Sequence, residues 1–142
     1  MPNTVLVDTG FLVALFDVGD PLHAGAKEQL AELLGPQRFR LTTVWPTVVE
    51  TCFFLNARGK TAFLEWIRRG AVQLRHIEIM DIPELIAVID RYADHRIDLA
   101  DACLVWLAGK EDCNQILTTD RRDFDILRTP GGQLFERIWV KP

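Results

Sequence analysis

Short apolar runs that stop on an acid, each followed by a helical pattern, constrain this chain more than any other feature. Residues 4–7 form an apolar run with β-branched Val5 and Val7, bounded by Asn3 and Asp8, which predicts a buried strand. Ile116, Leu117 and Thr118 repeat the arrangement just ahead of Asp120. Between them the pattern alternates. A short helix is expected over 11–16. A second opens at Asp20-Pro21, carries Leu22, Ala26, Leu30 and Leu33 on one face, and stops at Gly35-Pro36. A strand over 38–42 precedes a helix over 47–56 that is apolar almost all round and is therefore expected to be buried. Helices over 60–70, 82–93, 99–108 and 120–127 follow, with a strand over 72–79. Gly131-Gly132 marks a turn before a last strand over 137–140. Strands alternating with helices predict an α/β sandwich with a mostly parallel central sheet. At 142 residues, without repeat or linker, residues 1–142 are expected to form one domain.

The acids fall where such a sheet binds ligands. Asp8 and Asp120 each lie just past the carboxyl end of a predicted strand, the ligand-binding edge of open α/β sheets. Asp98 and Asp101, in IDLADACLVWLA, are three apart on one helical face and repel each other unless a proton or cation lies between them. Glu50, in TVWPTVVETCFFLNA, has Pro46, Thr47, Phe53 and Phe54 as its helical neighbours and no Lys or Arg within a turn. A carboxylate buried there needs a metal ion or a distant cation. Each Asp also has a local structural reading. Asp8, Asp98 and Asp120 are good helix N-caps, and Asp101 suits a first helical turn. The two roles are compatible, because a capping carboxylate has a second oxygen to offer.

Clustered carboxylates are hard oxygen ligands suited to Mg²⁺ or Mn²⁺. One or two such ions activate a water and stabilise the leaving oxygen of a phosphodiester. They also resolve a charge problem. Sixteen basic against twenty acidic residues give a net charge of −4, whereas phosphate binders are usually basic. His23, His76 and His95 are scattered and form no zinc pattern. Cys52, Cys103 and Cys113 make no C-x-x-C pair; Cys52 and Cys103 sit inside apolar helical patterns and are expected to be buried thiols of a reducing cytoplasm. No apolar run is long enough to span a membrane, and Asp8 interrupts the N-terminal apolar stretch, so no secretory signal is expected.

Taken in order, VLVDTGFLVAL, VVETCFFL, DLADACLVWLA and ILTTDRRDF resemble the PIN-domain ribonucleases, most closely the VapC-type toxins of type II toxin–antitoxin pairs. The resemblance extends over nearly the whole chain. It implies a three-layer sandwich, a central sheet flanked by helices, and a carboxylate site for Mg²⁺ or Mn²⁺. Residue by residue it assigns catalysis to Asp8, Glu50, Asp101 and Asp120, with Asp98 as an additional metal-binding acid and Asp123 as a further one. Thr9 and Thr118 match small hydroxyl positions accompanying these acids. With Arg121 and Arg122 they are the candidate substrate contacts; Arg96 and Lys110 are further candidates. The resemblance also implies RNA as substrate, cleavage leaving a 5′-phosphate and a 3′-hydroxyl, a homodimer, and an antitoxin protein that covers the site. Two other readings stay open: a PIN nuclease of RNA maturation, and a non-catalytic PIN-like module that only binds RNA or a partner. A phosphoryl-transfer site of the Asp-x-Asp type is disfavoured, since Gly10 stands two residues after Asp8.

Overall fold

The computed structural model describes residues 3–35, 39–120 and 122–139. Five strands, β1 (Asn3–Val7), β2 (Phe39–Val44), β3 (Gln73–Arg75), β4 (Gln115–Leu117) and β5 (Glu136–Trp139), form one sheet in the order β3-β2-β1-β4-β5. Every pairing is parallel, with Leu6 opposite both Thr42 and Ile116. The chain builds outward from β1 through β2 to β3, then returns to the other side of β1 for β4. Its switch point therefore lies between β1 and β4, where the carboxyl ends of the strands leave a crevice.

Seven α-helices cover the sheet among the described residues: α1 (Thr9–Phe16), α2 (His23–Leu33), α3 (Trp45–Phe53), α4 (Ala57–Arg68), α5 (Ile82–Arg91), α6 (Leu99–Glu111) and α7 (Asp123–Ile126). Alternate residues of β1 point to opposite faces. Val5 and Val7 join a core with Phe11, Leu12, Val48 and Phe63, while Leu6 joins a second core with Leu85, Leu104 and Leu107. This is why the strand reads as an unbroken apolar run: a parallel strand covered on both faces has no polar side. Helix α6 is buried continuously from Ala100 to Ala108.

Several expected boundaries shift for local reasons. The strand expected over 72–79 ends at Arg75, because Glu78 and Asp81 form a reciprocal capping box that starts a 3-10 turn. Helix α2 begins at His23 rather than Pro21, since the Asp20 carboxylate accepts a hydrogen bond from the Leu22 amide at 2.8 Å and closes a turn first. Residues 38 and 140, expected in strands, lie outside the described residues. The three cysteines are free; Cys103 is buried as expected, Cys113 is buried as well, and Cys52 is only half-buried, against expectation. No described helix is long and apolar enough to cross a membrane.

The larger correction concerns α3. Its apolar residues do not make it a buried helix. Val49 is 57% exposed and Phe53 84%, so one long face has no partner among the described residues. Glu50 is consequently half-buried, and its burial alone does not demand a counterion.

Candidate active site

The crevice at the switch point is built by short, local hydrogen bonds. Asp8 follows β1 and caps α1: its Oδ1 accepts from the Thr9 amide at 2.7 Å. Its Oδ2 accepts from the Thr118 hydroxyl at 2.8 Å. The Thr118 oxygen in turn accepts from the Asp120 amide at 2.9 Å. Asp120 Oδ1 accepts from the amides of Arg122 and Asp123 at 2.9 and 3.1 Å, opening the turn into α7. Thr118 thereby ties the ends of β1 and β4 together. It is fully buried and does not line the cleft, so it positions carboxylates and is not a substrate contact.

Helix α6 enters the same crevice by its N-terminus. Asp98 is its N-cap, with Oδ1 accepting from the Asp101 amide at 2.8 Å. The capping reading of Asp98 holds, and Asp98 lines the cleft as well. Glu50 arrives from α3. Asp8, Glu50, Asp98, Asp101 and Asp120 thus line one cleft of about 350 Å³, together with Asp20 and Asp123. Among the described lining residues none is basic, and none is His or Cys. Thr9 also lines it, and its buried hydroxyl has no hydrogen-bond partner. Gly10 lets α1 approach β4 this closely: a Cβ there would collide with Thr119 Oγ1.

The electrostatics follow from that arrangement. Burial, reinforced by Asp120 and Glu50, pushes the Asp8 carboxyl up to about 6, although the Thr118 and Thr9 hydrogen bonds pull the other way. Burial, with Asp8, Asp98, Asp123 and Glu50 around it, pushes Asp101 up to about 8. Asp123 is raised too, first by burial and then by Asp120. The cleft holds more negative charge than its surroundings neutralise. Among the described residues, no three acids, histidines or cysteines stand close enough together, as placed, to hold a metal ion. The donor chemistry fits a hard divalent cation: several carboxylates, no nitrogen or sulfur ligand, and groups that hold protons for want of positive charge.

The remaining expectations sort by position. Arg122 is exposed beside Asp120; Arg121 lies outside the described residues. Arg96 lines a small cavity that shares Asp98, Asp101 and Asp123 with the cleft. Lys110 does not belong to the site. It sits at the far end of α6, 2.9 Å from Glu84, with its ammonium 5.9 Å from the centre of the Trp106 ring. Asp20 and Phe54 line the cleft without having been singled out in the sequence. Asp20 reads there only as the residue that opens the second helix with Pro21, and Phe54 only as an apolar helical neighbour of Glu50.

The sequence and the fold both have known relatives. The family described as PIN domain matches residues 5–129. Ribonuclease VapC26 of Mycobacterium tuberculosis (strain ATCC 25618 / H37Rv) is 33% identical over 142 residues, spanning 94% of this chain and 99% of that protein. The chain belongs to the PIN-domain family and, within it, to the VapC ribonucleases. The crystal structure of Mycobacterium tuberculosis VapC20, described as a sarcin–ricin loop cleaving toxin, superposes with a TM-score of 0.72 at 23% identity, covering 94% of this chain and 98% of that one. At that identity it supports the fold.

Proposed function

We propose that the protein is a divalent-metal-dependent endoribonuclease acting as the toxin of a toxin–antitoxin pair, with Asp8, Glu50, Asp101 and Asp120 as its catalytic carboxylates and Mg²⁺ or Mn²⁺ as its metal. The observation that carries this reading is the convergence of these four acids, far apart in sequence, on one cleft at the sheet's switch point. Asp98 is the additional metal-binding acid, its capping oxygen occupied and its second oxygen free for the cleft.

When bound, the divalent cation supplies the charge that offsets the phosphodiester and makes a water nucleophilic at neutral pH. The protein's own contribution is placement. Thr118 and the Thr9 amide fix both oxygens of Asp8. The turn at Asp120 fixes one oxygen of that carboxylate. Asp101, held at about 8 by burial and its acidic neighbours, would hold the ion in its deprotonated form. One of the four carboxylates then orients the attacking water in line with the leaving 3′-oxygen, so the products carry a 5′-phosphate and a 3′-hydroxyl. Arg122 and Thr9 are the candidate substrate contacts described beside the cleft, and Arg121 is a third.

An acidic cleft is a natural target for a basic inhibitor, because a guanidinium pairs bidentately with carboxylates. This supports an antitoxin whose C-terminal segment lays an Arg among the acids. A homodimer is supported by the unpartnered face of α3, where Trp45, Val49 and Phe53 recur at four-residue intervals and are 49%, 57% and 84% exposed.

The direct test is incubation with total cellular RNA in Mg²⁺, Mn²⁺ or chelator, mapping the new ends. Metal-dependent cuts bearing 5′-phosphates are expected. Cleavage that survives chelation, or that leaves cyclic phosphates, contradicts the reading.

A further inference from the structure

The cleft presents a recognition problem that its own charge does not solve. Its described walls carry seven carboxylates and no cation, so an RNA strand finds no positive side chain on those walls to hold it beyond the metal. Sequence-tolerant grip on single strands comes instead from aromatic faces, which take any base. Phe54 is the aromatic residue among the described residues lining the cleft.

Its placement is specific. Phe54 is the C-cap of α3, just past the turn that carries Glu50. It is 59% exposed, an apolar ring left in water at the rim of a charged site. The Phe53 ring stands at 82° to it, with centroids 5.6 Å apart, and backs it from one side. Phe54 also forms a wall of a second, larger groove of about 1070 Å³, which runs past Phe16, Asn56 and Arg58 at the junction of α1 and α4. One ring therefore stands between the acidic cleft and a groove leading away from it.

Asp17 and Glu65 line this groove too, but Glu65 is already paired with Arg68 and Arg69, and Arg58 supplies a positive charge there. It lies in the first turn of α4, where the helix dipole disfavours a cation. It is exposed and makes no ion pair among the described residues. Such a side chain is available to a phosphate.

We infer that Phe54 is the platform on which the base next to the scissile phosphate stacks, directing that side of a single-stranded RNA into the groove past Arg58. This rests on the nuclease reading and adds a substrate-positioning contact to it.

The test uses full-length protein with Mg²⁺ and an oligoribonucleotide spanning a mapped cut, intact or with one abasic nucleotide at each flanking position in turn. For the wild type, one abasic position adjacent to the cut is expected to lower kcat/KM about 5- to 100-fold, the range of a base–aromatic stack, mainly through KM. Phe54→Leu is expected to lose about as much on the intact strand and nothing more on that abasic strand, while Phe54→Trp keeps wild-type behaviour. A binding readout stands apart from activity: in the Asp101→Asn background, the emission added by Phe54→Trp is expected to be quenched by single-stranded RNA. Losses that multiply, a Phe54→Leu variant indistinguishable from wild type, or unquenched emission overturn the assignment. So does a change of oligomeric state in Phe54→Leu, which would make the ring part of a contact between copies. If the wild type binds RNA without cutting it, the nuclease reading fails while the quenching still decides the stacking.

Discussion

At the scale of single residues, two buried acids, Asp8 and Asp101, stand out by how tightly they hold their protons. Asp101 is held at about 8, so metal-free protein at neutral pH keeps it largely protonated. Above that pH it becomes one more negative charge against Asp8, Asp98, Asp123 and Glu50. Asp101→Asn is therefore expected to abolish cleavage, leave the metal-free melting temperature nearly unchanged at pH 3.5, below the ordinary carboxyl value of 3.8, and raise it at pH 8.5. Melts in chelator at the two pH values check this, with about 1 kcal/mol of relief appearing as roughly 2–5 °C. A variant that melts lower at both would show that Asp101 is held by favourable contacts and not by crowding. Thr118 makes the converse case. Thr118→Val keeps the shape but removes the donor to Asp8 and the acceptor for the Asp120 amide. It is expected to cost about 1.5–3 kcal/mol at pH 7, the range for a hydrogen bond to a charged group, and to push Asp8 above about 6. Denaturant melts and Mn²⁺ affinity, both expected to fall, check it.

At the scale of elements, the site consists of strand ends and helix starts, and that is why much of it was legible beforehand. Strands covered on both faces leave an unmistakable apolar run, so Asp8 and Asp120 were placed past β1 and β4 from pattern alone. The α6 acids were placed by helical spacing. Helix α3 was misread because an apolar helix looks the same whether the chain covers it or leaves a face open, and Val49 and Phe53 are open. The resemblance puts Thr118 among the candidate substrate contacts because a matching hydroxyl position carries no sign of which way the hydroxyl points. Asp20 and Phe54 had no pattern to reveal them; only the folding of the α1–α2 turn and the end of α3 onto the crevice brings them in. Helix α6 offers a prediction at this scale. Asp98→Ser retains a good N-cap and removes one charge. Stability is expected to stay within about 0.5 kcal/mol, since good capping residues are nearly interchangeable, while the Mn²⁺ dissociation constant rises several-fold. An unchanged constant in calorimetry would make Asp98 a cap only.

At the scale of the whole molecule, the acids couple stability to pH and to cation. Asp8 and Asp101 hold protons more tightly in the folded chain, at about 6 and about 8, than their ordinary value of 3.8. Their contribution to stability is fully present below about pH 4 and is lost as the pH rises through those two values. Metal-free protein is thus expected to lose melting temperature between pH 4 and pH 8, and saturating Mg²⁺ or Mn²⁺ to recover most of it, because a ligand for the folded state stabilises it. The acidic balance of the chain, −4 overall, then makes sense as that of a nuclease whose phosphate-binding charge is brought in by the ion.

The central claim is that these acids share one cation, and proton release on binding measures it. At pH 7, groups titrating near 6 and near 8 together hold about one proton. Calorimetric Mn²⁺ titrations in buffers of different ionisation enthalpy are expected to show about one proton released per chain, falling to near zero in Asp101→Asn. Binding with no proton released from the wild type, or the same release from the variant, would contradict a shared site.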